Sequence, residues 1–373
     1  MDQIKVLCVV GARPNFMKIA PIMRVFNDQA ERFNAQLVHT GQHYDDRMKD
    51  AFFRTLGIPQ PTVDLGVGSG THSQQVAQIM LRFEPVLISQ CPDVVLVVGD
   101  VNSTIACALV AVRQQIPVVH VEAGLRSFDP TMPEEINRIL TDRLADLLFT
   151  TEPGAAANLR AEGMDEQRIH FVGNVMIDTL LANQQRAIPA DQTVRHYRLP
   201  INHDMPFGLV TLHRPCNVDQ PDTLARLVRT LVDLSQDIPL IFPLHPRTAN
   251  RLAQAGLEML LKDSQIHCTD ALDYLQLLGL MARARLVLSD SGGIQEETTA
   301  LGIPCLTLRE NTERPITIEA GTNTLVGTDP ACIRRCVEHI LHTGGKAGRI
   351  PDLWDGCAAQ RIADAMYARY RLN

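Results

Sequence analysis

The chain has 373 residues, room for two domains at roughly 150 residues each, and its 45% hydrophobic and 21% charged residues exclude a disordered or fibrous polymer. Thirty-five basic against 42 acidic side chains leave a net charge of −7, which disfavours a nucleic-acid or anionic-membrane partner, so any anion must be bound at a local site. Nine cysteines without a CxxC pair fit reduced thiols in a cytoplasm, the start lacks the basic region of a targeting segment, and no apolar run approaches the ~18 residues of a spanning helix.

The first apolar run, residues 4–10, reads as a buried strand that enters a helix through Gly11-Ala12-Arg13-Pro14-Asn15-Phe16-Met17-Lys18. Two cations, Arg13 and Lys18, at a helix start suit a phosphate, although a solvated pair flanking a turn explains them equally. The glycines match neither a Walker loop nor GxGxxG, so no nicotinamide cofactor is expected. Strands at 94–98 and 118–121 run into Gly99-Asp100 and Glu122-Ala123-Gly124, a further strand is expected at 147–150, and Glu134-Glu135 opens a helix. Asp100, Glu122 and Glu134 thus gather on one rim, where desolvation and neighbours can tune carboxylates for proton transfer. Helix capping is the plainer account of Asp100 and the Glu134-Glu135 pair; Glu122, closing a wholly apolar strand, is harder to explain that way.

A hinge is expected over 175–206, after which strands at 208–212, 239–244, 286–289 and 304–308 repeat the scheme. The first two lead into His213-Arg214 and His245-Pro246-Arg247; either histidine could instead be an interior residue, and no spacing suits a metal, so none is expected. Ser289-Asp290-Ser291-Gly292-Gly293-Ile294-Gln295-Glu296-Glu297 joins strand to helix through two glycines. Its backbone amides suit a diphosphate, Glu296 or Glu297 could grip ribose hydroxyls, and Arg314 brings a further guanidinium. Alternating strands and helices in both halves predict α/β architecture: two doubly wound Rossmann-like domains facing across a cleft, 1–175 and 176–373; the last helix is expected, as a separate matter, to return to the first domain.

Taken together GARPNFMK, TGQHY, GDVNST, HVEAGLRS, MPEEINR, TLHRP, PLHPR, DSGGIQEE and TERP resemble, in order and over nearly the whole chain, the non-hydrolysing UDP-N-acetylglucosamine 2-epimerases of GT-B fold. The resemblance implies that Arg13, Lys18, His213, Ser291, Gly292, Gly293, Glu297 and Arg314 hold UDP. It assigns acid–base work on the sugar to Asp100, Glu122 and Glu134, with His213 near the diphosphate. It further implies a UDP-sugar partner, a homodimer, no cofactor, and a second, activating UDP-sugar at Gln42, His43, Glu134, Arg214 and His245. Asp45 and Gly70-Thr71 depart from the residues expected around that second site. A C2 epimerase of a modified UDP-sugar, a hydrolysing epimerase, a GT-B glycosyltransferase and a UDP-sugar sensor stay open.

Overall fold

The computed structural model describes residues 3–41 and 53–371, the Arg13 side chain excepted. The chain divides into two compact units, Met1–Ala182 with Asp352–Asn373, and Asn183–Pro351. The division therefore falls seven residues beyond the 175/176 boundary drawn from sequence, and the closing segment counts with the first unit.

Among the described residues the first unit carries seven strands, β1 (Ile4–Val10), β2 (Phe33–His39), β3 (Val63–Asp64), β4 (Val94–Val98), β5 (Val118–Val121), β6 (Leu147–Thr150) and β7 (Ile169–Phe171), in the order β3-β2-β1-β4-β5-β6-β7. The second carries β8 (Gly208–Thr211), β9 (Leu240–Pro243), β10 (Ile266–Thr269), β11 (Leu286–Ser289), β12 (Cys305–Thr307) and β13 (Asn323–Leu325), ordered β10-β9-β8-β11-β12-β13. Every pairing is parallel. Strand order reverses between β1 and β4 in one sheet and between β8 and β11 in the other, and ligands of such sheets bind at the carboxyl ends beside the reversal.

Local sequence explains the layers. All five residues of β4 are buried, as a parallel strand covered on both faces requires. Helix Pro221–Leu234 buries Leu224, Leu227, Val228, Leu231 and Leu234, a single stripe at helical spacing, and Pro221 supplies a ready first turn. No helix among the described residues is long and apolar enough to cross a membrane.

The final helix, Ala358–Tyr370, is tied into the first unit by polar contacts. Trp354 donates its indole N–H to the Thr151 carbonyl at 3.0 Å, and the Asp178 carboxylate accepts the amides of Ala358 at 3.2 Å and Ala359 at 2.8 Å. Burial raises the Asp178 carboxyl above its ordinary value, and the two amides oppose that only in part. Gly173 has φ +89°, and a Cβ there would lie 2.0 Å from the Leu353 carbonyl oxygen, so the closing segment crosses where a side chain is impossible. Asp178→Ala orphans two helix-start amides and is expected to cost about 1–3 kcal/mol. Trp354 is the chain's one tryptophan, so a urea titration followed by its fluorescence reads that loss as a lower midpoint.

Candidate functional site

In the first unit, the turn after β1 is held by Asn15, whose Oδ1 accepts the amides of Gly11 at 3.1 Å and Ala12 at 3.3 Å while its Nδ2 donates to the Val98 carbonyl at 3.0 Å. One buried amide side chain thus locks the ends of β1 and β4 together. Lys18, one turn further along the helix Arg13–Asp28, passes beneath Gly99. Gly99 has φ +64°, and a Cβ there would lie 2.7 Å from Nζ. That open space lets the ammonium reach Glu122 Oε1 at 2.6 Å, with both side chains buried. Lys18, expected on a diphosphate, is therefore placed against a carboxylate expected to move protons.

Glu122 closes β5 at φ +72°, Gly124 follows at +79° and Phe128 stands at +56°. Left-handed backbone at a non-glycine residue costs about 1–3 kcal/mol and collects where function fixes geometry. Asp100 is half-buried: its Oδ2 accepts from Arg138 at 2.5 Å and its carbonyl from Asn137 Nδ2 at 2.9 Å. Of the two adjacent glutamates, Glu135 turns inward and accepts the Ser127 amide and hydroxyl, the Phe128 amide and Arg138. Glu134 is half-buried and forms no ion pair among the described residues. Beneath this rim, His120 lies between Asp142 Oδ1 at 2.7 Å and the Gly99 carbonyl at 2.8 Å, and Arg126 meets Asp142 at 2.8 Å.

In the second unit the organising group is Asp290. It is buried and accepts the backbone amides of His213 and Arg214, the Asn217 side-chain amide at 3.1 Å and the His213 ring through Nδ1 at 3.1 Å. Burial alone would raise this carboxyl; the His213 contact and the converging amides outweigh it and hold it below its ordinary value. With Nδ1 so engaged, His213 leaves Nε2 as its outward atom, and its side chain is 38% exposed. The His245 ring stands 5.9 Å from it, centroid to centroid, and accepts the Arg247 amide as a helix cap.

Ser291 caps the helix Gly292–Leu301 with no side-chain bond, so the first-turn amides, which have no partner within a helix, point outward. A Cβ at Gly292 would lie 2.6 Å from Arg314 Nη1, so a side chain there would displace that guanidinium. Arg314 pairs with Glu296 at 2.9 Å and with Glu313, which also takes Arg309 at 2.9 Å and lies 3.6 Å from Arg214. Glu297, buried at the same helix, accepts the Tyr274 hydroxyl at 3.0 Å. Burial, then the nearby Glu297 charge, pushes that phenol well above its ordinary value. Glu296 and Glu297 thus divide: one holds an arginine, the other a phenol.

Each unit therefore assembles its own share of the residues expected from sequence. Gln42 and His43 lie outside the described residues. Sequence reading quoted Asn15, Asp290, Glu313 and Arg138 without singling them out, and weighed Glu135 only as half of the Glu134-Glu135 pair. Asp290 ends β11 as Asp100 follows β4, so the rule that selected one carboxylate applied to the other.

A family model described as UDP-N-acetylglucosamine 2-epimerase matches residues 27–367. The chain belongs to that enzyme family. It is 41% identical over 342 residues to a UDP-N-acetylglucosamine 2-epimerase of Methanocaldococcus jannaschii, covering 91% of this chain and 93% of that one. It is 39% identical over 327 residues to a UDP-2,3-diacetamido-2,3-dideoxy-D-glucuronate 2-epimerase of Pseudomonas aeruginosa, covering 87% and 88%. The crystal structure of the Methanocaldococcus jannaschii enzyme in complex with UDP-GlcNAc and UDP matches with a TM-score of 0.89 at 39% identity, over 98% of this chain and 100% of that one. The two parallel-sheet α/β domains are those of the family's GT-B-like structures.

A carboxyl depressed in the folded state gives stability that is complete above its unfolded value and disappears as pH falls through the folded one. The stability gap between the native chain and Asp290→Asn is therefore expected to be widest near neutral pH and to narrow below 3.8, the ordinary value of that carboxyl. Urea unfolding of both proteins at a series of pH values measures it.

Proposed function

We propose that this enzyme interconverts UDP-N-acetylglucosamine and UDP-N-acetylmannosamine by eliminating and re-adding UDP through 2-acetamidoglucal. The observation that carries the reading is what each rim gathers: Glu122 and Asp100 at strand exits of the first unit, oriented by Lys18 and Arg138, and in the second the helix-start amides of Gly292 and Gly293 beside Arg314. The sugar C2–H has no adjacent carbonyl and is not acidic. As the C1–O bond to UDP breaks, positive character at C1 acidifies C2–H; a carboxylate takes that proton, the C1–C2 double bond forms, and UDP leaves with the bonding pair. Return of UDP oxygen to C1 and of a proton to the opposite face of C2 completes inversion.

In this reading Glu122 and Glu134 serve opposite faces of C2, and Asp100, aimed by Arg138, positions the sugar or assists deprotonation. Lys18 fixes the direction of the Glu122 carboxylate. Arg13, His213, Arg314 and the amides of Gly292 and Gly293 hold the diphosphate, beside Ser291, whose own amide donates to Ser289 Oγ at 3.0 Å, and Glu297 grips the ribose. Stabilising charge as it develops on the leaving group is the electrostatic term usually largest in catalysis. A second reading has a specific support: the relative named a diacetamido glucuronate epimerase stands within two percentage points of identity of the one named for UDP-N-acetylglucosamine, at 39% against 41%.

Proton NMR in deuterated water, without added cofactor, is expected to show UDP-N-acetylmannosamine carrying deuterium at C2. Free N-acetylmannosamine would mean hydrolysis, and exchange only with a diacetamido uronate would establish the second reading. Asp100→Asn, Glu122→Gln and Glu134→Gln are each expected to lower kcat by about 10²- to 10⁴-fold; near-normal turnover removes that residue from acid–base work. Arg314→Ala is expected to weaken UDP binding by about 10- to 100-fold, the scale of a charge-assisted bond, as measured by calorimetry.

A further inference from the structure

Phe128 breaks two rules at once. Its side chain is a bulky apolar ring, yet it is 77% exposed, and its backbone sits at φ +56°, a conformation that favours glycine. No other ring meets it among the described residues. Folding alone does not reward such a residue, because burial gains are forgone while strain is accepted.

The backbone around it is nevertheless held from both sides. Arg126 is anchored on Glu162 at 2.7 Å and on Asp142 at 2.8 Å. The amides of Ser127 and Phe128 are accepted by Glu135 at 2.9 and 3.0 Å, and the Ser127 hydroxyl takes the Asp129 amide at 3.3 Å. Glu135 is in turn bridged by Arg138, at 2.7 and 2.5 Å, to Asp100. The scaffold that aims the Asp100 carboxylate is thus the scaffold that presents the Phe128 ring.

We propose that Phe128 is a substrate-contacting specificity residue whose ring covers the apolar face and acetamido methyl of the sugar held at the carboxylate rim. The inference rests on the epimerase reading and adds the sugar-recognition element that the carboxylates lack: C–H bonds and a methyl group require an apolar partner, and a ring fixed in place gives contact with little loss of freedom on binding. Presentation by the catalytic scaffold favours the sugar over a protein partner, since a docking anchor gains nothing from registration with Asp100.

The test compares native chain with Phe128→Gly and Phe128→Tyr. Glycine relieves the left-handed strain while deleting the ring, so the expected result is a thermal midpoint held or raised, affinity for UDP-N-acetylglucosamine reduced about tenfold or more, and affinity for UDP changed by less than twofold. Tyrosine keeps the platform and is expected to restore sugar affinity to within about threefold of native. A Phe128→Gly protein that binds the UDP-sugar as the native chain does would overturn the proposal, as would a parallel loss of UDP affinity. A change in sedimentation coefficient with unaltered sugar affinity would also overturn it and assign the ring to contact between copies. Failure of the epimerase reading is read separately, on the native chain, as absence of UDP-N-acetylglucosamine binding or of C2 exchange.

Discussion

Strands covered on both faces leave polar side chains room only at the strand ends, and in doubly wound sheets ligands bind at the carboxyl ends. β4 and β5 of the first unit and β11 of the second run buried along their length, as does β8 up to Thr211, and they discharge at Gly99-Asp100, Glu122, Asp290 and Leu212-His213. Strand order reverses between β1 and β4 and again between β8 and β11, so the adjoining connections diverge to opposite faces and leave space at those ends. Chemistry collects there because the rest of the sheet has no room for it.

Most of the charges at those ends are held in ion pairs. Lys18 with Glu122, Arg138 with Asp100 and Glu135, and Arg314 with Glu296 and Glu313 all lie in largely buried surroundings. Desolvation consumes most of the attraction in such pairs, so they contribute little to folding. What they supply is direction: a carboxylate or guanidinium whose orientation is set before a ligand arrives needs no reorganisation when charge develops. The left-handed residues Glu122 and Phe128 in one short connection follow the same logic, with backbone strain offset elsewhere by packing.

Much of this was legible beforehand because apolar runs of β-branched residues and the polar residue closing each one are local signals. β2 escaped notice since Asn34 and Gln36 interrupt its run, and β3, at two residues, is too short to leave a pattern. Partnerships were not legible. Lys18 and Glu122 lie 104 positions apart and meet because β1, β4 and β5 are consecutive in the sheet and the intervening Gly99 has no side chain. Neighbouring glutamates 134 and 135 look equivalent in a string of letters; one residue along a helix is a rotation of about 100°, which sends one inward and leaves the other at the surface. Asp290 was visible but read as part of a glycine motif, since the amides it collects come from another strand's exit.

The return of residues 352–371 to the first unit fixes the order in which a growing chain can finish its parts. All of 183–351 leaves the ribosome before Trp354, which reaches Thr151, and before the helix Ala358–Tyr370, whose first amides Asp178 accepts. The second unit, though later in sequence, has all its residues made before the first does, and the first sheet, whose strands end at Phe171, waits through the whole synthesis of the second unit for the helix Ala358–Tyr370.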